Sequence, residues 1–197
     1  MKAIKFFFII LFSILILNAC KPKNQAPNKL SQSTKDYFEI RNGGLFIFGT
    51  ISDTSVSIPY TSGNYINNQV NPDIENNEII MYELSSSGKP LFTIRSEAGG
   101  TQYKDRVAML SKFNDTTSIA AIIFNLNGKY EPQPGTYDSV IQYPTYAIGN
   151  KTFNDVLRVK VSNNAKYKQV ILAKNIGLIS WQTKNDIIYY LKRYALK

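Results

Sequence analysis

The 197-residue chain contains one cysteine, Cys20, and no histidine. A Ser-His-Asp triad or a Cys-His pair therefore cannot be assembled in its usual form, and the common histidine and cysteine set of a zinc site is missing as well. Carboxylates remain at Asp73, Glu75 and Glu78, but their spacing matches neither a calcium-binding loop nor the paired acids of a glycosidase. We predict no catalytic residue, no metal and no cofactor. A hydrolase that uses carboxylates alone is the minor alternative.

The residues before Cys20 have the order of an export signal. Lys2 and Lys5 give a positive start, residues 6–17 form an apolar run, and Ala19 places a small residue before the cysteine. A positive segment, an apolar segment of about 7–15 residues and a small residue at the cut are typical of signal peptides. A membrane-spanning helix needs about 20 apolar residues, so this run is short for one.

The segment Leu17-Asn18-Ala19-Cys20 resembles the lipobox of bacterial lipoproteins. The resemblance implies cleavage between Ala19 and Cys20, followed by lipidation of the Cys20 thiol and amine. Several acyl chains would give stable membrane anchoring, because each buried CH₂ contributes ~0.8 kcal/mol. Lys21 stands where the inner-membrane retention signal has aspartate, so the resemblance implies the cell envelope, and its outer membrane rather than its inner one. Ordinary secretory cleavage with a free Cys20 is the alternative.

Composition divides the chain into three segments. Residues 1–19 are predicted to be the signal peptide, a helix. Residues 20–35 are polar and contain two prolines, which predicts a lipidated, flexible tether. Residues 36–197 are long enough for a single domain. Six of the 23 basic residues precede residue 36, whereas all 14 acidic residues lie within residues 36–197.

The remaining positive charge is concentrated near the C-terminus, where residues 151–197 hold ten basic and two acidic side chains. Two interpretations stay open. A basic face could meet anionic headgroups or an acidic polymer, or basic strands could lie beside acidic strands and be neutralised. Nucleic acid is not an expected partner of an exported, tethered protein.

Alternating apolar residues predict an all-β domain after residue 36. The predicted strands cover residues 45–51, 78–84, 91–94, 106–113, 118–126, 153–161, 168–173, 177–181 and 187–194. Turn signals about every ten residues favour an antiparallel, strongly curved sheet, either a half-barrel or a sandwich. Residues 53–76 are rich in serine and asparagine, which predicts a long loop with at most a short strand at residues 55–59.

Residues 145–195 resemble the C-terminal half of envelope lipoproteins of unknown function. The segments Ile148–Val159 and Ala173–Trp181 carry the resemblance. It implies a curved antiparallel sheet similar to the half-barrels of periplasmic lipoprotein carriers, and it implies no activity.

Five residues of these segments form a candidate structural motif: Phe153, Asp155, Lys174, Gly177 and Trp181. Gly177 interrupts an apolar run, which indicates a bulge or a positive φ that would turn Trp181 inward. Asp155 shares the parity of core residues in its strand, and a lone buried carboxylate is costly. We expect Asp155 either to cap a turn or to pair with a cation such as Lys174 or Arg158.

Weaker patterns remain open. Five tyrosines could line a sugar or lipid groove or pack across strands: Tyr143, Tyr146, Tyr189, Tyr190 and Tyr194. Asp115-Thr116-Thr117 and Asp138-Ser139-Val140 resemble O-glycosylation acceptors. The leading hypothesis is a non-enzymatic, membrane-anchored protein that binds a lipid or other apolar ligand on a concave sheet face. The alternative is an interaction or structural module whose partner is another envelope protein.

Overall fold

The computed structural model describes residues 28–38, 43–53, 55–69, 77–87, 89–99, 104–110, 119–126, 129–132, 139–161 and 167–196. Within these ranges there are one helix, α1 (Gln32–Phe38), and twelve strands. The strands are β1 (Leu45–Thr50), β2 (Ile58–Gln69), β3 (Asn77–Ser86), β4 (Lys89–Glu97), β5 (Asp105–Leu110), β6 (Ile119–Leu126), β7 (Lys129–Pro132), β8 (Ser139–Ile148), β9 (Lys151–Lys160), β10 (Tyr167–Ala173), β11 (Gly177–Thr183) and β12 (Ile188–Ala195).

The described strands form one antiparallel sheet in the order β7-β6-β5-β4-β3-β2-β1-β12-β11-β10-β9-β8. Except for β7 and β8, strands that are consecutive in sequence lie side by side, and β1 also pairs with β12. The two sheet edges are therefore β7 and β8, which follow each other in the chain. The sheet curls strongly into a half-barrel, so the expected fold class is confirmed.

The expected long loop at residues 53–76 is wrong over most of its length. Residues 58–69 form β2, and nine of its residues pair with β3 from Thr61↔Ser85 to Gln69↔Asn77. The polar composition of β2 is not typical of a strand, but β3 supplies its backbone with hydrogen-bond partners. Backbone pairing with a neighbour overrides a low strand propensity. Two further strands, β7 and β8, are also absent from the prediction.

The expected tether is wrong for its second half. Leu30 and Thr34 are buried, and Gln32–Phe38 forms α1. Leu30 packs with Ile80 and Ala98 in a small apolar cluster. A segment that looks too polar to fold alone is ordered here because the sheet supplies its partners. The predicted signal peptide, Cys20 and residues 21–27 lie outside the described residues.

The main apolar core fills the concave side of the sheet. Its fully buried members include Phe46, Phe48, Tyr82, Leu84 and Leu157. Burying a side chain of this size stabilises the fold by roughly 1.5–3 kcal/mol. The C-terminal residues of α1 join the same cluster, so the helix is part of the core and does not lie on its surface.

Strand β9 bends where the expected alternation fails. Tyr143 of β8 faces Val156 and Thr145 faces Asn154, so one residue on each strand, Pro144 and Asp155, lies between these pairs and the register does not shift. Asp155 has a φ of 47° and is exposed. This left-handed conformation interrupts the extended backbone on which the alternation of side chains along a strand depends. Val156, which the alternation places outside, is consequently buried.

Candidate functional site

One end of the half-barrel is closed by α1 through the carboxylate of Asp105, the first residue of β5. Asp105 Oδ2 accepts hydrogen bonds from Ser31 N–H at 2.9 Å, Ser31 Oγ at 2.5 Å and Thr34 Oγ1 at 2.7 Å, and Oδ1 accepts one from Gly99 N–H at 3.1 Å. Because Asp105 is only 7% exposed, these donors replace the water that a buried carboxylate would otherwise lack.

A second carboxylate, Glu78 of β3, holds the residues just before α1. Its Oε2 accepts the Leu30 N–H at 2.8 Å, and the ammonium groups of Lys29 and Lys35 lie 3.5 and 3.4 Å from its two oxygens. Burial raises the pKa of Glu78. The Leu30 hydrogen bond and the two lysines, Lys35 the stronger, outweigh it and bring the pKa below the ordinary value of 4.5.

The same end is completed by contacts between α1 and the two edge strands. The Tyr130 hydroxyl of β7 donates to the Ser33 carbonyl at 2.6 Å, and the Tyr130 ring lies edge-on to the ring of Tyr37. Gln142 of β8 reaches the Tyr37 hydroxyl at 3.4 Å. Phe38 is 1% exposed beneath them. Helix α1 therefore fills the closed end next to the gap between β7 and β8.

The opposite end contains a pocket of about 380 Å³. Strand β4 relates the two ends: Leu91 lines the pocket, and Gly99, eight residues further on, bonds to Asp105. Eight extended residues span roughly 26 Å. The pocket lining consists of Ile58, Tyr60, Leu91, Tyr167, Trp181, Thr183, Lys184, Asn185 and Tyr189.

Trp181 of β11 forms the inner wall of this pocket. Its ring stacks on Tyr189 at 4.7 Å with an interplanar angle of 10°, and it meets Phe48 edge-on at 4.7 Å. Tyr60 lies edge-on to it at 6.2 Å. Trp181 is 3% exposed, whereas Asn185 at the other side of the pocket is exposed. The pocket thus leads from solvent to an aromatic interior.

Tyr167 spans the half-barrel at the same end. It belongs to β10, yet its hydroxyl donates to the Leu91 carbonyl of β4 at 2.9 Å. Burial, with a smaller contribution from the nearby Tyr60, raises the pKa of Tyr167 to about 12. Since this hydroxyl already has a partner, the Tyr167 wall offers the pocket an apolar ring.

The structure does not bring the five motif residues together in one site. Phe153, Asp155 and Lys174 line a groove of about 510 Å³ at the bend of β9. Gly177 begins β11 with a φ of 86°, which agrees with the second of the two alternatives, a bulge or a positive φ, that the interrupted apolar run indicates. Trp181 faces inward, as expected, but lies in the aromatic pocket away from the other motif residues.

The expected ion pairs of Asp155 are wrong. Lys174 pairs with Asp36 of α1 at 3.3 Å, and it is the Asp155 backbone carbonyl that accepts the Lys174 N–H at 3.0 Å. The left-handed conformation of Asp155 removes the need for a cation, because its side chain is exposed to solvent and not buried in the core. Sequence reasoning had no means to select Asp36, which is 138 residues from Lys174.

Sequence reasoning found one of the aromatic walls and missed two. Tyr189 is among the tyrosines considered for a groove, whereas Tyr60 lies in the segment predicted as a loop and Tyr167 opens a strand predicted to start at residue 168. Of the other four tyrosines, Tyr143 packs on Tyr146. Tyr60, Tyr167 and Tyr189 each lie within the first three residues of a strand, and that shared position is the signal that could have pointed to the missing walls.

Most residues of the metal and glycosylation patterns lie outside the described part of the chain. The described residues contain no group of three or more metal-ligating side chains. Asp73 and Glu75 lie outside the described residues, as do Asp115 and Asp138 of the glycosylation patterns. The third acidic residue, Glu78, binds the segment just before α1. Among the residues the structure covers, no helix has the length and apolarity to cross a membrane.

Comparison of the chain with protein-family models, with curated proteins and with solved structures gives no match. The fold and the pocket therefore define a class only: an antiparallel β half-barrel with a self-closed end and an aromatic pocket at the other.

Proposed function

We propose that this chain is a lipid-anchored protein of the cell envelope that binds an apolar ligand and catalyses no reaction. The observation that carries the proposal is the pocket around Trp181, whose inner walls are aromatic. Its volume of about 380 Å³ lies within the range of about 300–1,000 Å³ that is usual for small-molecule sites. Of the two membranes we propose the outer, on the lipobox resemblance and Lys21.

Anchoring at Cys20 would determine which end of the domain meets the membrane. Asn28 is held on β3, where its amide donates to the Asn77 side chain at 2.9 Å and its carbonyl accepts the Glu78 N–H at 2.9 Å. Cys20 precedes Asn28 by eight residues, which reach at most about 28 Å. Strand β4 uses almost all of that length between the α1 end and the pocket. A lipid on Cys20 would therefore hold the α1 end at the membrane and direct the pocket away from it.

The anchor is tested by growing cells with labelled palmitate. The wild-type chain should take the label and Cys20→Ser should take none, because the thioether needs the thiol. Asn18→Ser is the matched control, since it changes the lipobox at its permissive position and should leave labelling unchanged. Equal labelling of wild type and Cys20→Ser would contradict the anchor.

Ligand binding is tested on the complete chain carrying Cys20→Ser, purified without detergent. Trp181 is the only tryptophan, so it is the single donor for energy transfer to the apolar probe N-phenyl-1-naphthylamine, and the pocket variants locate the bound probe. We expect saturable transfer that is lost in Ile58→Lys, which places a charge in the pocket wall. Ile141→Lys, on β8 outside the pocket, should bind as the parent does. Transfer that does not saturate, or that is equal in both variants, would contradict ligand binding here.

A second candidate is a module that docks another envelope protein. Two exposed isoleucines favour it: Ile51 is 52% exposed and Ile187 is 40% exposed. They lie near each other, because Ile51 N–H donates to the carbonyl of Ile188 at 3.2 Å. Exposed apolar residues that cluster are typical of interaction sites. Cross-linking in cells from Ile187→Cys, compared with Ile141→Cys, tests this candidate, and equal patterns would remove it.

A further inference from the structure

We infer that the ligand of the Trp181 pocket is a compact, uncharged molecule with an apolar body and one hydrogen-bond acceptor, and that this acceptor binds the hydroxyl of Tyr60. The acceptor is an oxygen of the kind found in ketones, esters, ethers and alcohols. This inference rests on the proposed function and names the ligand class of the same site.

The hydroxyl of Tyr60 is a polar group on the inner wall of the pocket. Tyr60 is 9% exposed, and its ring lies edge-on to Phe48 at 5.8 Å and to Trp181 at 6.2 Å. Within the part of the chain that the structure describes, no residue forms a hydrogen bond with this hydroxyl. A buried hydroxyl that has left water without finding a partner is unfavourable, and a bound ligand can supply the missing hydrogen bond.

Three other polar groups around the pocket already have partners. The Tyr167 hydroxyl donates to the Leu91 carbonyl at 2.9 Å. The Lys168 ammonium bonds to both carboxylate oxygens of Asp186 at 2.6 and 2.7 Å, and Lys184 also has an interaction partner within the protein. A charged ligand would lose its water without gaining one of these lysines as a counter-ion. The pocket therefore favours an uncharged ligand.

Tyr60 is the donor of the inferred hydrogen bond. Burial, with a smaller contribution from the nearby Tyr189, raises the pKa of the Tyr60 hydroxyl above its ordinary value of 10.0. The hydroxyl therefore keeps its proton at neutral pH, and a protonated phenol can donate to an oxygen of the ligand. The ligand accordingly supplies the acceptor.

The space around Tyr60 suits a compact apolar body. The pocket volume of about 380 Å³ is near the lower limit of about 300 Å³ for small-molecule sites. The lining includes the side chains of Ile58 and Leu91 and the ring of Tyr167. Removing apolar surface from water against such side chains is favourable. The body therefore supplies most of the affinity, and the acceptor fixes its orientation.

The acceptor is tested with two compounds of nearly the same shape, 2-acetylnaphthalene and 2-ethylnaphthalene, of which only the first carries a carbonyl oxygen. Each is used to displace N-phenyl-1-naphthylamine from the complete Cys20→Ser chain, with and without Tyr60→Phe. The ratio of the two dissociation constants cancels the different affinities of the compounds for water. We expect this ratio to shift by about two- to tenfold against the acetyl compound in Tyr60→Phe, which corresponds to one neutral hydrogen bond.

Two further variants locate the hydrogen bond. Tyr143→Phe removes a hydroxyl on β8 outside the pocket and should keep the parent ratio. Tyr189→Phe removes the hydroxyl of the pocket residue near Tyr60, and a shift there as large as in Tyr60→Phe would overturn the assignment to Tyr60. An unchanged ratio in Tyr60→Phe would overturn it as well.

The unpaired state of the hydroxyl is tested without any ligand. Because Tyr60→Phe removes a polar group that has no partner among the described residues, its melting temperature should equal or exceed that of the parent chain. A lower melting temperature would show that the hydroxyl is bonded within the protein, and the inference would then be wrong.

The uncharged class is tested with 2-naphthoate, which carries a carboxylate in place of the acetyl group. It should bind at least about tenfold more weakly than 2-acetylnaphthalene, because its charge loses water in the pocket. Equal binding would contradict the uncharged class. If N-phenyl-1-naphthylamine binds saturably but neither naphthalene displaces it, or the ratio does not depend on Tyr60, the ligand class is wrong and the proposed function stands. If N-phenyl-1-naphthylamine itself does not bind saturably, the proposed function fails and the inference fails with it.

Discussion

The two ends of the half-barrel are filled by different means. At one end the chain uses its own helix, and two carboxylates, Asp105 and Glu78, hold the segment that contains it. At the other end aromatic rings around Trp181 leave a pocket open to solvent. A helix that belongs to the same chain is always present, whereas a ligand in the pocket can leave and be replaced by another. The difference indicates which end is structural and which end is available for binding.

The polar chemistry of the two ends differs in the same sense. At the α1 end, Asp105 gathers four hydrogen bonds within the protein. At the pocket end, Asp53 is exposed and bonds to the neighbouring Ser55. Buried charges must find partners inside the fold, whereas exposed ones are solvated. Substitutions at the α1 end should therefore act on stability, and those at the pocket end on binding.

Removing the apolar part of the helix should test the structural role most severely. Phe38→Ala should lower the free energy of unfolding by about 3–5 kcal/mol, because it leaves a cavity in the main core. Chemical denaturation of the complete chain measures it. Ile187→Ala, at the exposed pocket end, should change the same quantity by less than about 0.5 kcal/mol. Similar losses in both variants would contradict the contrast between the ends.

Removing the Asp105 carboxylate should lower the free energy of unfolding somewhat less than Phe38→Ala does. Asp105→Ala leaves the Ser31 N–H and the Thr34 hydroxyl without their acceptor, and we expect a loss of about 2–3 kcal/mol. The amides of residues 31–38 should also exchange faster with deuterium. Asp53→Asn is the matched control at the pocket end and should leave both readouts near wild type. Unchanged exchange in Asp105→Ala would show that the helix is held by other contacts.

Glu78 makes stability depend on pH in one direction. Its folded pKa lies below the ordinary value of 4.5, so its contribution is complete above that value and is lost as the pH falls through it toward the folded pKa. Glu78→Gln should lower the free energy of unfolding by about 1–2 kcal/mol at neutral pH. Its stability should also fall less steeply than that of the wild type as the pH is lowered into the acid range. Thermal unfolding at several pH values measures this. If the melting temperatures of wild type and Glu78→Gln fell equally steeply in acid, the account would be refuted.

A substitution at Gly177, in the bend before Trp181, should change the free energy of unfolding least. Gly177 has a φ of 86°, so Gly177→Ala should destabilise the fold by about 1 kcal/mol. Asn175→Gly, two residues earlier at a φ of 61°, should be neutral or slightly stabilising, because glycine adopts that conformation without strain. Probe transfer from Trp181 shows whether the bend positions the pocket. A stabilising Gly177→Ala would contradict this account.

Prediction from sequence succeeded where a strand carries its own pattern. The alternation in residues 78–84 and 187–194 is sufficient to identify β3 and β12. It failed for β2 and for residues 28–35, whose side chains are polar and whose order comes from β3 and β5. The candidate motif was divided for the same reason: Lys174 bonds to Asp36 and Trp181 packs on Phe48, and both partners are distant in sequence.

The order of residue types along the chain was enough for the antiparallel class, an irregular backbone at Gly177 and the absence of histidine chemistry, because each depends on local composition or on a period of two. The closed end, the left-handed conformation of Asp155 and the aromatic pocket arose only when distant strands came together. A polar segment folds when a buried carboxylate elsewhere accepts its hydrogen bonds, and a pocket exists when rings from several strands meet around a space. Neither condition is visible in any single segment.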